Sequence, residues 1–173
     1  MARDILKTLQ SEHDTLRELF ERMNETTDRA KKKRADLLSE IEQNLLPHAK
    51  WEETVFYPAF AERADRDGLQ THAEAVEEHR AVELTVLPDL HAADIETPTF
   101  AGRAKVFGEL IDHHATEEET TMFKMARKLF NAQERAELDE QYETWKASPA
   151  AAAALVHAEV KTGLKAAVRS LTR

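Results

Sequence analysis

Four stretches of this 173-residue chain carry apolar residues at steps of three and four, and in each the stripe is interrupted by a histidine. The first reads Leu6, Leu9, His13, Leu16, Phe20, Met23. The second reads Leu38, Ile41, Leu45, His48, Glu52, then Val55 or Phe56. The third reads His72, Val76, His79, Val82, Val86, Leu90, and the fourth Phe107, Ile111, His114, Glu118, Met122, Met125, Leu129. Such spacing is the buried face of an amphipathic helix. Glu52 and Glu118 therefore stand where leucine is expected. A buried carboxylate without a partner is costly or gives up its charge, so something must compensate them, and a metal ion is one candidate.

The composition agrees with helices. Glycine (4) and proline (5) are scarce and charged residues make up 33% of the chain, a balance that disfavours sheets. The stripes predict helices over about 3–29, 32–63, 70–92 and 98–129. Pro47 and Pro58 should bend or break the second, and Asp65-Arg66-Asp67-Gly68 reads as the turn that follows it. Thr97-Pro98 reads as an N-cap with proline at the first helical position. Asn131 to Glu134 reads as a capping start for a helix to about Lys146, and Ser148-Pro149 as the start of an alanine-rich segment to the C-terminus. The predicted fold is all-α: an antiparallel up-down-up-down four-helix bundle over residues 1–130, with extra C-terminal helices over 131–173. The tail carries Leu155, Val160, Leu164, Val168 and Leu171; packing on the bundle, pairing with another chain and projecting outward are all open to it.

No run of 18 apolar residues suggests a transmembrane helix, and Met1-Ala2-Arg3-Asp4 leads into no secretory signal. With no cysteine, thiolate metal sites and disulfides are excluded, and the cytoplasm is the expected location. A net charge of −9 argues against nucleic acid and anionic membranes as partners. The one basic cluster, Lys31-Lys32-Lys33-Arg34, reads as a solvated turn.

The stripes also repeat. His13 and His48 are 35 residues apart, as are His79 and His114; Glu52 lies 39 residues beyond His13, and Glu118 lies 39 beyond His79. The chain reads as two copies of a helical hairpin, each written His…His-x-x-x-Glu. In an antiparallel bundle His13, His48, Glu52, His79, His114 and Glu118 converge at mid-height, enough for two metal ions with bridging carboxylates. Nitrogen and oxygen donors without thiolate suit iron or manganese, and zinc uses the same donors. The shifted pair His113/Glu117 has the same spacing and is a rival to His114/Glu118.

On these residues the chain resembles the hemerythrin-like, or HHE cation-binding, domain: His13 in the first helix, His48-x-x-x-Glu52-Glu53 in the second, His79 in the third and His114-x-x-x-Glu118-Glu119 in the fourth. The resemblance spans roughly residues 5–130. It implies a four-helix bundle around a non-haem centre of two iron ions that meets dioxygen, hydrogen peroxide or nitric oxide. Oxygen-carrying hemerythrins have two histidines four apart on the third helix, where this chain has His79 and Glu83, and His-x-x-x-x-Asp on the fourth. The pattern is closer to bacterial hemerythrin-like proteins, some of which decompose peroxide as catalases do. The expected function is a di-iron centre reacting with hydrogen peroxide or dioxygen; the alternative is a non-enzymatic oxygen, nitric oxide or iron sensor or store.

Around the ligand set, Glu53, Glu78 and Glu119 sit about 100° from the buried faces and read as solvated. Glu83, one turn past His79, reads as a surface charge, with an extra ligand or an acceptor for a ligand histidine as the alternatives, and His72 reads as lining the bundle end. His91 and His157 read as surface residues. Phe56, Phe107, Met122, Phe123 and Met125 read as an apolar shell. Tyr57, next to Pro58, would swing toward the metals if the helix breaks there; on regular helix geometry it points away, and it is left out of the predicted site.

Overall fold

The computed structural model of the chain describes residues 3–153; the apolar tail positions from Leu155 onward, and His157, lie outside the described residues. Five helices follow one another. Helix α1 is Ile5–Asn24. Helix α2 runs over 31–61 as Lys31–Trp51, a wide turn Glu52–Phe56 and Tyr57–Ala61. Helix α3 runs over 66–91 as Arg66–Ala81, a wide turn Val82–Val86 and Leu87–His91. Helix α4 runs over 98–129 as Pro98–Glu117, a wide turn Glu118–Met122 and Phe123–Leu129. Helix α5 is Ala132–Lys146, and another helical stretch begins at Pro149. No strand occurs among the described residues.

Local chemistry fixes the starts. Asp4 accepts from the Leu6 N–H, Asp65 from Gly68, and Thr97 from Phe100 with Pro98 just inside the helix, each satisfying a donor that the first turn leaves free. Asn131 and Glu134 form a reciprocal capping box. The segment Asp65 to Gly68 is therefore not a turn but the first turn of α3. Gly68 is required there by space, since a Cβ would come within 2.9 Å of the Ala64 Cβ. Arg34 departs from its reading as part of a solvated cluster: it is buried and donates to the Ile95 carbonyl, Thr26 and Asp28, tying the α1–α2 loop to the α3–α4 loop.

Neither proline breaks α2. Pro47 lies inside a continuous helix. Pro58 follows the wide turn in which the Tyr57 N–H donates to the Glu52 carbonyl, five residues back. Proline has no N–H and crowds the carbonyl four residues earlier; the extra residue in the wide turn relieves both problems. Leu87-Pro88 after Val82–Val86 repeats the arrangement.

Two apolar cores flank a polar middle. One gathers Leu16, Phe20, Leu38, Ile41, Leu45, Leu87, Phe107 and Ile111; the other gathers Leu6, Leu9, Trp51, Phe56, Phe60, Met122, Phe123 and Tyr142. Helices α1 and α3 pass from the second core toward the first, and α2 and α4 pass back. His13, His48, His79 and His114 each fall at the crossing, so all four meet in one layer.

Candidate metal centre

The layer between the cores holds the six polar residues of the repeat. His13, His48, Glu52, His114 and Glu118 are buried, and the His79 side chain is only 9% exposed. The four imidazoles present Nε2 inward. His13 Nε2 is 3.2 Å from His48 Nε2, and His79 Nε2 is 3.0 Å from His114 Nε2. Glu52 spans the two pairs: Oε1 is 3.1 Å from His48 Nε2 and Oε2 is 3.6 Å from His79 Nε2. Glu118 does likewise, with Oε2 3.3 Å from His13 Nε2 and 3.8 Å from His114 Nε2.

The outward nitrogens are held by carboxylates. His13 Nδ1 is 2.9 Å from Glu119, His48 Nδ1 2.8 Å from Glu12, and His114 Nδ1 2.7 Å from Glu78. His79 Nδ1 faces Glu53 at 3.4 Å, an ion-pair distance without hydrogen-bond geometry. Glu53, Glu78 and Glu119 are thus half-buried and touch ligand-type histidines instead of standing free in solvent. In a bundle the position next to a core residue faces the neighbouring helix, and the histidine reached belongs to that neighbour. Glu12 is a fourth such residue, and its own spacing gave no sign of it beyond adjacency to His13.

This arrangement suits cations. With the Nδ1–H of His13 and of His48 donating to carboxylates, the Nε2 lone pairs of that pair face one another at 3.2 Å, which repels unless a positive charge lies between them. Two donors bonded to one ion at about 2.1 Å at right angles are themselves about 3.0 Å apart, as the pairs here are. Both oxygens of Glu52 and Oε2 of Glu118 are buried without a hydrogen bond, although buried polar atoms are ordinarily paired. The donor set fits cations: donors of His13, His48, Glu52 and Glu118 cluster within 4.8 Å, as do those of Glu52, His79 and His114. Without metal, protons take over the compensation. Burial pushes the His48 imidazolium down, but Glu52 and Glu12 outweigh it and hold the group up at about 10. Burial would raise Glu118, yet His114, His13 and His48 hold it well below the usual carboxylate range.

Tyr57 is the residue the sequence reading left out. Its hydroxyl donates to Glu118 Oε1 at 2.8 Å and lies 3.3 Å from His79 Nε2 and 3.4 Å from His114 Nε2. The reason is the wide turn: one extra residue before Tyr57 rotates it by about 100° relative to a regular helix. Pro58 was the available signal, since the ring demands a local change in hydrogen bonding. Burial, with Glu118 and Glu52 nearby, pushes the phenol well above its ordinary value.

The rival register is separated spatially. His113 is 59% exposed and pairs with Glu78 and Glu117 at the surface, while His114 and Glu118 point inward. Glu83 lines a cavity beside the centre, His72 stacks edge-on against Tyr57, and His91 pairs with Glu42. The cavity measures ≈ 460 Å³ and reaches all four histidines.

Fold and site together define a helical metal-binding protein with a paired histidine–carboxylate centre. The sequence profile of the hemerythrin HHE cation binding domain matches residues 4–126, and the chain belongs to that family. The crystal structure of a hemerythrin HHE cation binding domain-containing protein from Mycobacterium kansasii has the same fold, with a TM-score of 0.71 at 23% identity over 90% of this chain and 98% of that one. No curated protein matches the sequence significantly. Among the described residues, no helix is long and apolar enough to cross a membrane.

Proposed function

We propose that residues 1–130 hold a non-haem centre of two iron ions, bound by His13, His48, Glu52, His79, His114 and Glu118, that reacts with hydrogen peroxide or dioxygen. The observation that carries this reading is the pair of carboxylates each spanning two histidine pairs, which serves two ions rather than one. A bound iron pair supplies Lewis acidity and exchanges electrons with a peroxide. The chain supplies the rest. Glu119, Glu12 and Glu78 fix the tautomers of His13, His48 and His114, the two apolar cores wall the layer on either side, and the Tyr57 O–H holds a proton beside Glu118, within reach of a ligand at the His79/His114 pair.

Helix α3 offers one inward histidine, with Glu83 one turn further on, so six side chains would hold the two ions and would leave room for exchangeable ligands. Exchangeable positions favour turnover over stable oxygen carriage. The expected reaction is dismutation of hydrogen peroxide to oxygen and water.

The test combines metal analysis with an oxygen electrode. Protein isolated in air and reconstituted should carry about two irons per chain and release oxygen from hydrogen peroxide, while the metal-free protein should not. One zinc per chain with no uptake of iron would sink the di-iron reading. Full iron loading with background-level oxygen release would instead favour a binder of oxygen or nitric oxide.

A further inference from the structure

The cavity beside the centre has a floor and walls of opposite chemistry. Its floor is His13, His48, His79 and His114; Glu52, Glu118 and Tyr57 are not among the residues lining it. It therefore meets the centre on a face that the spanning carboxylates leave free. Its walls are aliphatic. Leu16, Leu45 and Ile111 are buried, and Leu110, 40% exposed, stands toward solvent. Ala150 and Ala153 also line it with small side chains. Among the lining residues Glu53, Glu78 and Glu83 outnumber Lys50, so the field there disfavours anions.

Size decides what such a space is for. At about 30 Å³ of liquid volume per water, hydrogen peroxide or dioxygen fills on the order of a tenth of it. The whole lies within the range of about 300–1,000 Å³ typical of pockets for organic ligands. Leu16, Leu45, Leu110 and Ile111 offer no hydrogen bonds to a small polar molecule, and the polar part of the lining is confined to the histidines with Lys50, Glu53, Glu78 and Glu83. A neutral molecule with a small oxygen head and a hydrocarbon body of roughly ten atoms matches both ends.

We propose that this cavity binds an organic hydroperoxide, with the peroxide head at the four histidines and the hydrocarbon body among Leu16, Leu45, Leu110 and Ile111. The proposal rests on the peroxide reading above and extends its substrate class from hydrogen peroxide to its alkyl and aryl derivatives. The apolar body gains by leaving water, and a neutral head meets no repulsion from the acidic lining.

The experiment uses the full-length, metal-loaded protein and cumyl alcohol, the unreactive analogue of cumene hydroperoxide. Binding is followed by calorimetry and saturation-transfer NMR. Saturable binding is expected, with competitive displacement by cumene hydroperoxide. Leu110→Trp, which fills the outer part of the cavity from a half-exposed position, should weaken cumyl alcohol at least tenfold with metal content unchanged. Leu46→Trp, at another residue lining the cavity, serves if that variant loses helix content. No saturable binding, no displacement, or equal binding by wild type and the filled variant overturns the proposal, whatever the protein does with hydrogen peroxide. Conversely, binding as expected without oxygen release from hydrogen peroxide overturns the peroxide reading and leaves the cavity as a site for neutral oxygen-headed ligands.

Discussion

His13, His48 and Glu52 recur 66 residues later as His79, His114 and Glu118, and Glu12 and Glu53 recur as Glu78 and Glu119, but the two halves stand in different surroundings. The first half is buried and braced. Its donors, with Glu118, are all buried. Glu12 is held by the Tyr142 hydroxyl and Lys146 of α5, Glu119 by Arg17, and Phe123 stacks on His13. The second half has Tyr57 where the first has Phe123, a looser contact between His79 and Glu53, and a partly exposed His79. If each half holds an ion as proposed, this difference should suit the first half to retaining its ion and the second to exchanging ligands.

The spanning carboxylates are where the comparison breaks first. Glu52→Ala and Glu118→Ala each remove a donor from both halves, so metal content should fall from about two ions per chain to below one by elemental analysis. Glu117→Ala, at the surface, should leave it unchanged. Loss of metal in Glu117→Ala with retention in Glu118→Ala would restore the rival register. Next come the single histidines. His79→Ala should leave one ion, held by His13, His48, Glu52 and Glu118, and abolish oxygen release from hydrogen peroxide. Two ions retained in that variant would refute the division of labour between the halves.

The phenol swap sharpens the same contrast. Tyr57→Phe removes a donor 2.8 Å from Glu118 and should weaken the second ion by about 10- to 100-fold, as loss of a supporting group at a metal site does. Competition with a chelator measures it. Phe123→Tyr should not compensate, because its ring lies against His13, away from the His79/His114 pair. If the double exchange binds two ions as tightly as wild type, position does not matter and the asymmetry is incidental.

The stripes, the repeat and the caps at Thr97 and Asn131 were readable because each is a local pattern: periodicity selects a face, and a capping residue satisfies its own turn. What the sequence hid was set by relations between helices. The spacing of Glu53 and Glu119 places them beside the buried face, and only the neighbouring helix turns that flank into a contact with His79 or His13. Tyr57 was misplaced because a helix wheel assumes 3.6 residues per turn throughout, whereas α2, α3 and α4 each contain a wide turn. Pro58 and Pro88 mark two of the three, but Phe123-Lys124 carries no such mark. Arg34 was read with its lysine neighbours, although burial is decided residue by residue.

The smallest effect concerns α5, which lies beyond the residues matched to the family. Tyr142 packs on Trp51 with ring centroids 4.7 Å apart and donates to Glu12 at 2.6 Å. Lys146 donates to the other Glu12 oxygen at 2.9 Å, and Glu12 in turn holds His48. Burial would raise the Glu12 carboxyl, but His48, Tyr142 and Lys146 bring it down to about 2, so it stays an acceptor for the imidazole at any ordinary pH. Tyr142→Phe keeps the ring packing and removes one hydrogen bond to a charged group, about 1.5–3 kcal/mol at most; with Lys146 still in place, the loss should be toward the lower end. The first ion should then leave a few-fold faster under chelation, while the second, whose Glu78 pairs with His113 and His114 of α4, should leave at the wild-type rate. Lys146→Met should act in the same direction, and the double variant should exceed the sum of the two, because Glu12 then loses both restraints. Equal acceleration of both ions would mean that α5 steadies the bundle as a whole rather than the His48 side of the centre.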